Sequence, residues 1–288
     1  MLRILPCVDS DVLASARRRE LHIARDVAAA LGRSAVEAAH VGSYVSQSGR
    51  NVDWSSPVQR ARASKRSISP DVALPKAPAP ALAETLVQVR NETTLQASQR
   101  LTARGLRPLA LNFANGATIG GGFLNGARAQ EEVLCRASAL YQTLVGDPMY
   151  EAHRRRPRPD STDWAIHSPD VPVFRTDEGA ALDEPWPLSI ISCAAPYAPT
   201  VGQPESGDLL RSRITRVLSI AGSFGYSVLV LGAWGCGAFE NDPRRTAADF
   251  RDALETDFAG VFSEITFAIT DWSAERKTLG PFRDVFAD

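Results

Sequence analysis

Residues 109–144 read LALNFANGATIGGGFLNGARAQEEVLCRASALYQTL, and the rest of the chain falls into place around them. Leu109 to Leu111 is an apolar run that reads as a buried strand end. Asn112-Phe113-Ala114-Asn115 follows, then the consecutive glycines Gly120, Gly121 and Gly122. Gln130-Glu131-Glu132 opens a helix over 129–145, with Val133, Ala137, Leu140 and Leu144 at helical spacing on one face. Strand, glycine loop and helix N-terminus in that order make a site for an anion, because free backbone N–H groups and the helix dipole converge on it.

Two carboxylates at the start of that helix are unusual for a phosphate cradle. On one reading, Glu131 and Glu132 only complement the helix dipole. On the other, the glycines hold a diphosphate while one Glu does acid/base work beside it. The order of the residues has a family likeness: three glycines, a short spacer and Gln-Glu-Glu resembles the signature of poly(ADP-ribose) glycohydrolases, in particular their bacterial-type branch. The resemblance implies a macrodomain fold, that is, a three-layer α/β/α sandwich with a mixed sheet. It also implies cleavage of the ribose–ribose bond of poly(ADP-ribose).

A length of 288 residues, 44% hydrophobic and 23% charged, suits a soluble globular chain with a substantial core. A formal net charge of −1 speaks against a protein that coats nucleic acid, so a nucleotide ligand must be held by local geometry. Cys7, Cys135, Cys193 and Cys236 are scattered, and His22, His40, His153 and His167 form no metal-binding pair. No metal or cofactor is expected, and a reducing, cytoplasmic setting is. The apolar run at the start is too short for a secretory signal, and no stretch is long enough to span a membrane.

Residues 1–82 read as an N-terminal helical extension and connector, and residues 83–288 as the α/β domain. Within the first part, 11–46 predicts one or two helices ending near Gly42, and 47–82 a polar, then proline-rich, extended connector. Its cations Arg60, Arg62, Lys65 and Arg66 are read as a solvated loop, with contact to a polyanion as the alternative. From Thr85 the pattern alternates. Strands are expected at 85–90, 109–113, 188–194, 226–231 and 264–270, with shorter pieces at 164–167 and 171–174 around a proline. Helices are expected at 94–103, 129–145, 208–223 and 243–258, the last opened by the capping pair Asp242-Pro243.

A second informative stretch is Leu231-Gly-Ala-Trp-Gly-Cys-Gly-Ala-Phe-Glu-Asn-Asp-Pro243. An apolar strand runs into Gly232, Gly235 and Gly237 and then into a helix, where glycine lets a ligand approach the backbone. Such crevices lie at the C-terminal ends of strands. The segment resembles the diphosphate loop of macrodomains.

The resemblance carries roles to individual positions. Glu132 matches the catalytic glutamate, and Glu131 the neighbour that binds ribose hydroxyls. Asn115 sits where macrodomains set an Asn against the distal ribose, with Gly120, Gly121, Gly122 and Gln130 shaping that end. Gly235, Cys236, Gly237, Ala238 and Phe239 match the second phosphate loop, Phe239 closing over ADP-ribose. Cys135 and Cys236 lie inside the two motifs, with buried packing the expected role of their side chains, and the core is the expected place of Trp234. Glu132 is expected to act as acid and then base, because neighbours on a helix point about 100° apart and do not flank a sugar. The expected partners are poly(ADP-ribose) or ADP-ribosylated proteins, with ADP-ribose as product and no membrane or direct nucleic-acid contact. Two other functions share these residues: an ADP-ribose-binding macrodomain without activity, and a hydrolase of single ADP-ribose units on proteins.

Overall fold

The computed structural model describes residues 1–75 and 81–287. Ten strands are found among them: β1 (Leu2–Ile4), β2 (Ser43–Val45), β3 (Asn51–Asp53), β4 (Arg66–Ile68), β5 (Thr85–Arg90), β6 (Pro108–Ala114), β7 (Ala165–Arg175), β8 (Ala181–Ala194), β9 (Val228–Leu231) and β10 (Glu264–Ala268). Eight form one sheet in the order β1-β5-β10-β9-β6-β8-β7-β4, and β2 and β3 form a separate hairpin. From β1 to β8 the neighbours run parallel, whereas β7 and β4 are antiparallel additions.

The helices are α1 (Asp11–Leu21), α2 (Arg25–Val41), α3 (Ser55–Ser64), α4 (Thr94–Ala103), α5 (Gln130–Ala137), α6 (Leu140–Leu144), α7 (Pro148–Arg154), α8 (Ala198–Val201), α9 (Glu205–Ser223), α10 (Pro243–Glu255) and α11 (Leu279–Val285). Strand side chains alternate between two cores, as a period of two requires. Leu109 and Leu111 join Leu229, Leu231, Ile265 and Phe267 under α9, α10 and α11. Ala110, Ile190, Val228 and Val230 face the other way, toward residues of α2 to α7 such as Ala35, Leu101, Leu134 and Leu140. Both faces of the sheet are covered, so the α/β/α sandwich is confirmed.

β1, α7, α8 and the first half of β8 form where no element was expected, and three larger differences stand out. The helix expected over 129–145 breaks at Ser138, whose backbone is extended (φ −144°, ψ 175°) and bridges to Val173. The Ser138 hydroxyl donates to Leu134 O (2.7 Å) and accepts from Leu140 N (3.1 Å), and a hydroxyl that competes for the backbone in this way ends a helix. The two strand pieces at 164–174 are one strand, β7, with an irregularity at Asp170 where φ is +49°.

The connector expected over 47–82 is ordered through most of its length. It carries β3, α3 and β4, and Trp54 is fully buried, its indole N–H donating to Ala38 O (3.0 Å). Trp54 packs against Tyr44 and Phe174, with ring centroids at 5.3 and 4.4 Å. Of the proline-rich stretch 73–81, residues 76–80 lie outside the described residues. Helix α2 does end at Gly42, with φ +85° in the left-handed C-cap position.

Candidate active site

The site lies at the C-terminal ends of β6, β9 and β10, where two confluent hollows form one cleft. One, about 230 Å³, is lined by Asn115, Glu131, Glu132, Trp234, Ala238 and Phe239, among others. The other, about 280 Å³ and more apolar, reaches Thr93, Arg128, Asp177, Ala268 and Trp272. Phe113, Ala129, Gln130, Ala233 and Gly237 border both.

Each glutamate clasps the loop before it by one oxygen. Asn115 N–H donates to Glu131 Oε2 (2.8 Å), and Gly122 N–H donates to Glu132 Oε1 (2.9 Å). Both residues are buried, and the second oxygens, Glu131 Oε1 and Glu132 Oε2, have no partner among the described residues. A buried, unpaired carboxylate oxygen beside a cleft is an acceptor that a ligand can satisfy. Burial pushes the Glu131 carboxyl well above the usual carboxylate range; the Asn115 N–H opposes this, and the charge of Glu132 adds to it.

The glycines are explained by this clasp. Gly120 and Gly121 have φ of +69° and +58°. A Cβ on Gly121 would stand 2.3 Å from Glu132 Oε1, and one on Gly122 would stand 2.9 Å from Ala127 Cβ. The first loop therefore closes on the protein's own carboxylates, and Gly121 N–H is bonded to Thr118 O (3.0 Å).

The second loop is the open one. Among the described residues, the N–H groups of Gly235, Gly237, Ala238 and Phe239 form no hydrogen bond. A Cβ on Gly237 would meet nothing within 4 Å, while one on Gly235 (φ +76°) would stand 2.8 Å from both Ala195 Cβ and Asn241 Nδ2. Four free amides in a glycine turn at strand ends make an anion site.

Other predicted positions take supporting places. Asn115 Oδ1 caps its own turn, accepting from Ala117 N (2.9 Å) and Thr118 N (2.8 Å). The Gln130 carboxamide is fully engaged, accepting from Phe113 N (2.9 Å) and donating to Leu111 O (2.7 Å) and Thr94 Oγ1 (3.1 Å). It latches α5 to the end of β6 rather than offering a polar atom to the cleft. Cys236 turns away from the cleft: its N–H goes to Ala233 O (3.2 Å), and its thiol lies 3.5 Å from both Trp234 O and Thr246 Oγ1. Cys135 and Trp234 are buried, as expected. Phe239 is half-buried, edge-on to Tyr197 with centroids 5.7 Å apart.

Two supports were not read from the sequence. Asn241 Nδ2 donates to Pro196 O (2.9 Å), Gly235 O (3.2 Å) and Phe239 O (3.4 Å), and so sets the shape of the second loop. Its place just before the Asp242-Pro243 cap was the available signal. Asp177 lines the apolar hollow; Oδ2 accepts from Thr93 Oγ1 (2.8 Å), Oδ1 has no partner, and burial raises its pKa to about 6. No pattern in the sequence marks it.

The described residues contain no cluster of three or more His, Cys, Asp or Glu side chains placed for a metal, and no helix long and apolar enough to cross a membrane. A search of the curated proteins returned no match. The family model of the microbial-type PARG catalytic domain, PARG being poly(ADP-ribose) glycohydrolase, matches residues 32–176. The glycohydrolase of Thermomonospora curvata superposes with a TM-score of 0.84 at 37% identity, covering 91% of this chain and 100% of that one. The same enzyme bound to the inhibitor ADP-HPD matches at 36% identity, with a TM-score of 0.83 and coverage of 90% and 99%. The Deinococcus radiodurans glycohydrolase in complex with ADP-ribose matches at 37% identity over 79% and 96% of the two chains, with a TM-score of 0.71. The chain belongs to the microbial-type poly(ADP-ribose) glycohydrolases.

Proposed function

We propose that this chain hydrolyses the ribose–ribose O-glycosidic bond of poly(ADP-ribose) and releases ADP-ribose. The observation that carries this reading is the pair of buried glutamates, each tied to a loop by one oxygen and unpaired at the other. The pair stands at one end of a cleft whose far wall offers four free amides. In that cleft the amides of 235–239 hold the diphosphate, the apolar hollow takes the adenosine, and the outer ribose lies against Glu131, Glu132 and Asn115.

Glu132 Oε2, protonated, donates to the oxygen of the leaving ribose as the C–O bond breaks through an oxocarbenium-like state. The resulting carboxylate takes a proton from the attacking water as the new C–O bond forms, which returns Glu132 to its first state. Glu131 Oε1 accepts from the ribose hydroxyls, and Asn115 orients the same sugar. Phe239, backed by Tyr197, closes over the sugar–phosphate junction.

The turn at α8 is tied to this wall by Ala198 N–H donating to Phe239 O (3.0 Å), and release is from chain ends on the reading that the segment 196–206 covers the outer ribose. Residues 1–82 and 83–288 work as one unit in this reading, supported by β1 and β4 standing at the two ends of the main sheet. The substrate is the polymer or ADP-ribosylated protein. We place the activity in the cytoplasm, where four free thiols suit a reducing compartment.

The test is incubation with automodified, polymer-bearing acceptor, following free ADP-ribose by chromatography. Release of monomeric ADP-ribose is expected. Binding of ADP-ribose without release would leave a reader of the polymer instead.

A further inference from the structure

At the opposite end of the strands from the cleft lies an open hollow of about 420 Å³, bordered by Lys65, Arg66, Arg107, His167, Phe224 and Tyr226. It is built from the starts of β4 and β6 and the turn that leads into β9. The Arg66 guanidinium sits over the Phe224 ring at 5.2 Å, and that of Arg107 over the Tyr226 ring at 5.3 Å. His167 stacks on Phe224 with centroids 4.7 Å apart and planes 8° from parallel. Its Nε2 lies 3.0 Å from Tyr226 Oη.

Two of the three cations are partly answered. Lys65 pairs with the buried Asp147 (2.6 Å), and Arg107 with the exposed Asp170 (3.3 Å). Arg66 has no carboxylate partner among the described residues, and a solvent-exposed pair such as Arg107–Asp170 is weak and yields readily to a stronger anion. His167 is 5% exposed, and its Nδ1 has no partner among the described residues. Burial and the two arginines push its pKa down to about 4, so the ring is neutral. In the tautomer in which Tyr226 Oη donates to Nε2, Nδ1 carries the hydrogen and is a further donor. Two planar guanidinium groups held on aromatic rings, beside a buried neutral donor without an acceptor, suit a phosphate oxygen.

We propose that this hollow is a second phosphate-binding site, which holds a diphosphate of the same poly(ADP-ribose) chain whose end is in the cleft. It rests on the proposed glycohydrolase function for the identity of the chain. The seven residues of β6 separate the two sites by roughly 20 Å at about 3.3 Å per residue, so one ligand reaches both only if it is a polymer. Holding a distant unit raises the effective concentration of the end without any new contact at the bond that breaks.

The test uses the full chain with Arg66→Ala and Arg107→Ala together, two exposed cations outside the cleft. KM is measured on long polymer and on a two-unit oligomer, and binding of the long polymer is titrated against salt in a Glu132→Gln background. KM for long polymer is expected to rise five- to tenfold, with the two-unit KM and kcat unchanged, and the salt slope to fall by about 1–2. Arg66→Lys with Arg107→Lys should restore the salt slope but not the full KM, because the fork geometry is lost. Millimolar inorganic pyrophosphate should raise the long-polymer KM of the parent more than that of the alanine variant, which keeps only the amide loop of the cleft to bind it. Equal KM changes for long and short substrates would overturn the proposal. So would an equal loss of binding to a single-stranded DNA of similar charge, which marks only a general polyanion surface. If the parent releases no ADP-ribose, the functional reading fails, while the binding titration still decides whether the site exists.

Discussion

The two glycine loops look alike in sequence and do opposite things. The loop at 115–122 turns its N–H groups onto Glu131 and Glu132, so its anions are the protein's own carboxylates. The loop at 235–239 keeps four N–H groups free and is shaped from behind by the Asn241 amide. One loop positions a reactive acid and the other waits for a charged ligand. Glycine is required in the first because Glu132 fills the space of a Cβ; at Gly237 that space is empty. A glycine-rich strand-to-helix turn therefore does not announce a phosphate until the destination of its amides is known.

The largest effect that separates the loops is expected from Glu132→Gln. The amide oxygen still accepts from Gly122 N–H, so the loop persists. ADP-ribose release should fall by about 10³-fold or more, with ADP-ribose affinity within a few-fold of the parent by calorimetry. Comparable turnover in both proteins would remove Glu132 from the chemistry.

Gly121→Ala comes next. It places a Cβ 2.3 Å from the Glu132 oxygen at a φ of +58°, and should cost about 2–3 kcal/mol in denaturant unfolding along with most of the activity. Gly237→Ala is its counterpart in the open loop. It should leave stability within about 0.5 kcal/mol but weaken ADP-ribose binding, because the methyl group intrudes where the ligand lies. If both alanines destabilise equally, the distinction between a closed and an open loop is wrong.

Asn241→Ala should cost about 1–3 kcal/mol and weaken ADP-ribose binding with kcat little changed, since it ties the second loop to Pro196 and Ser206 and makes no bond to Glu131 or Glu132. Glu131→Gln is the mildest in stability and has a pH signature. Because burial raises its folded pKa, the folded chain holds a proton that the unfolded chain releases between the ordinary carboxylate range and that raised value. Stability is therefore lost as pH rises through this window, and the glutamine variant is spared the loss. Its melting temperature should exceed the parent's by about 2–4 °C at pH 8 and match it at pH 4. A pH-independent difference would show that Glu131 is not buried as a charge.

Much of this was legible before any coordinates. Strands and helices from Thr85 onward carry their periodicity plainly, and β5 and α4 have the expected boundaries. Glu131 and Glu132, which line the cleft, are marked in the sequence by their order after the glycines. The missed parts are those that a local pattern cannot encode. Strands β1 and β4 are three residues long, too short to show alternation, and exist because they pair with residues distant in sequence. Helix α3 is polar along most of its length and is held by the burial of Val58, Ala61 and the preceding Trp54. The break at Ser138 comes from a hydroxyl that competes for its own backbone and from a bridge to Val173. The Asp177 end of the cleft is assembled from segments that no spacing connects.

The short strands β1 and β4 have one more consequence. They are the outermost rungs of the main sheet, and Arg3 and Arg66 are exposed on them. A stray chain that approached either rim would find only a few unpaired amides beside a charge, which is a poor template for aggregation. Both rims are laid down from the first 68 residues, yet β1 closes on Thr85 and β4 on His167. During synthesis these guards emerge before the strands they cover. Until β5 and β7 arrive they have nothing to pair with, and the long loops they close make their docking a slow event in folding.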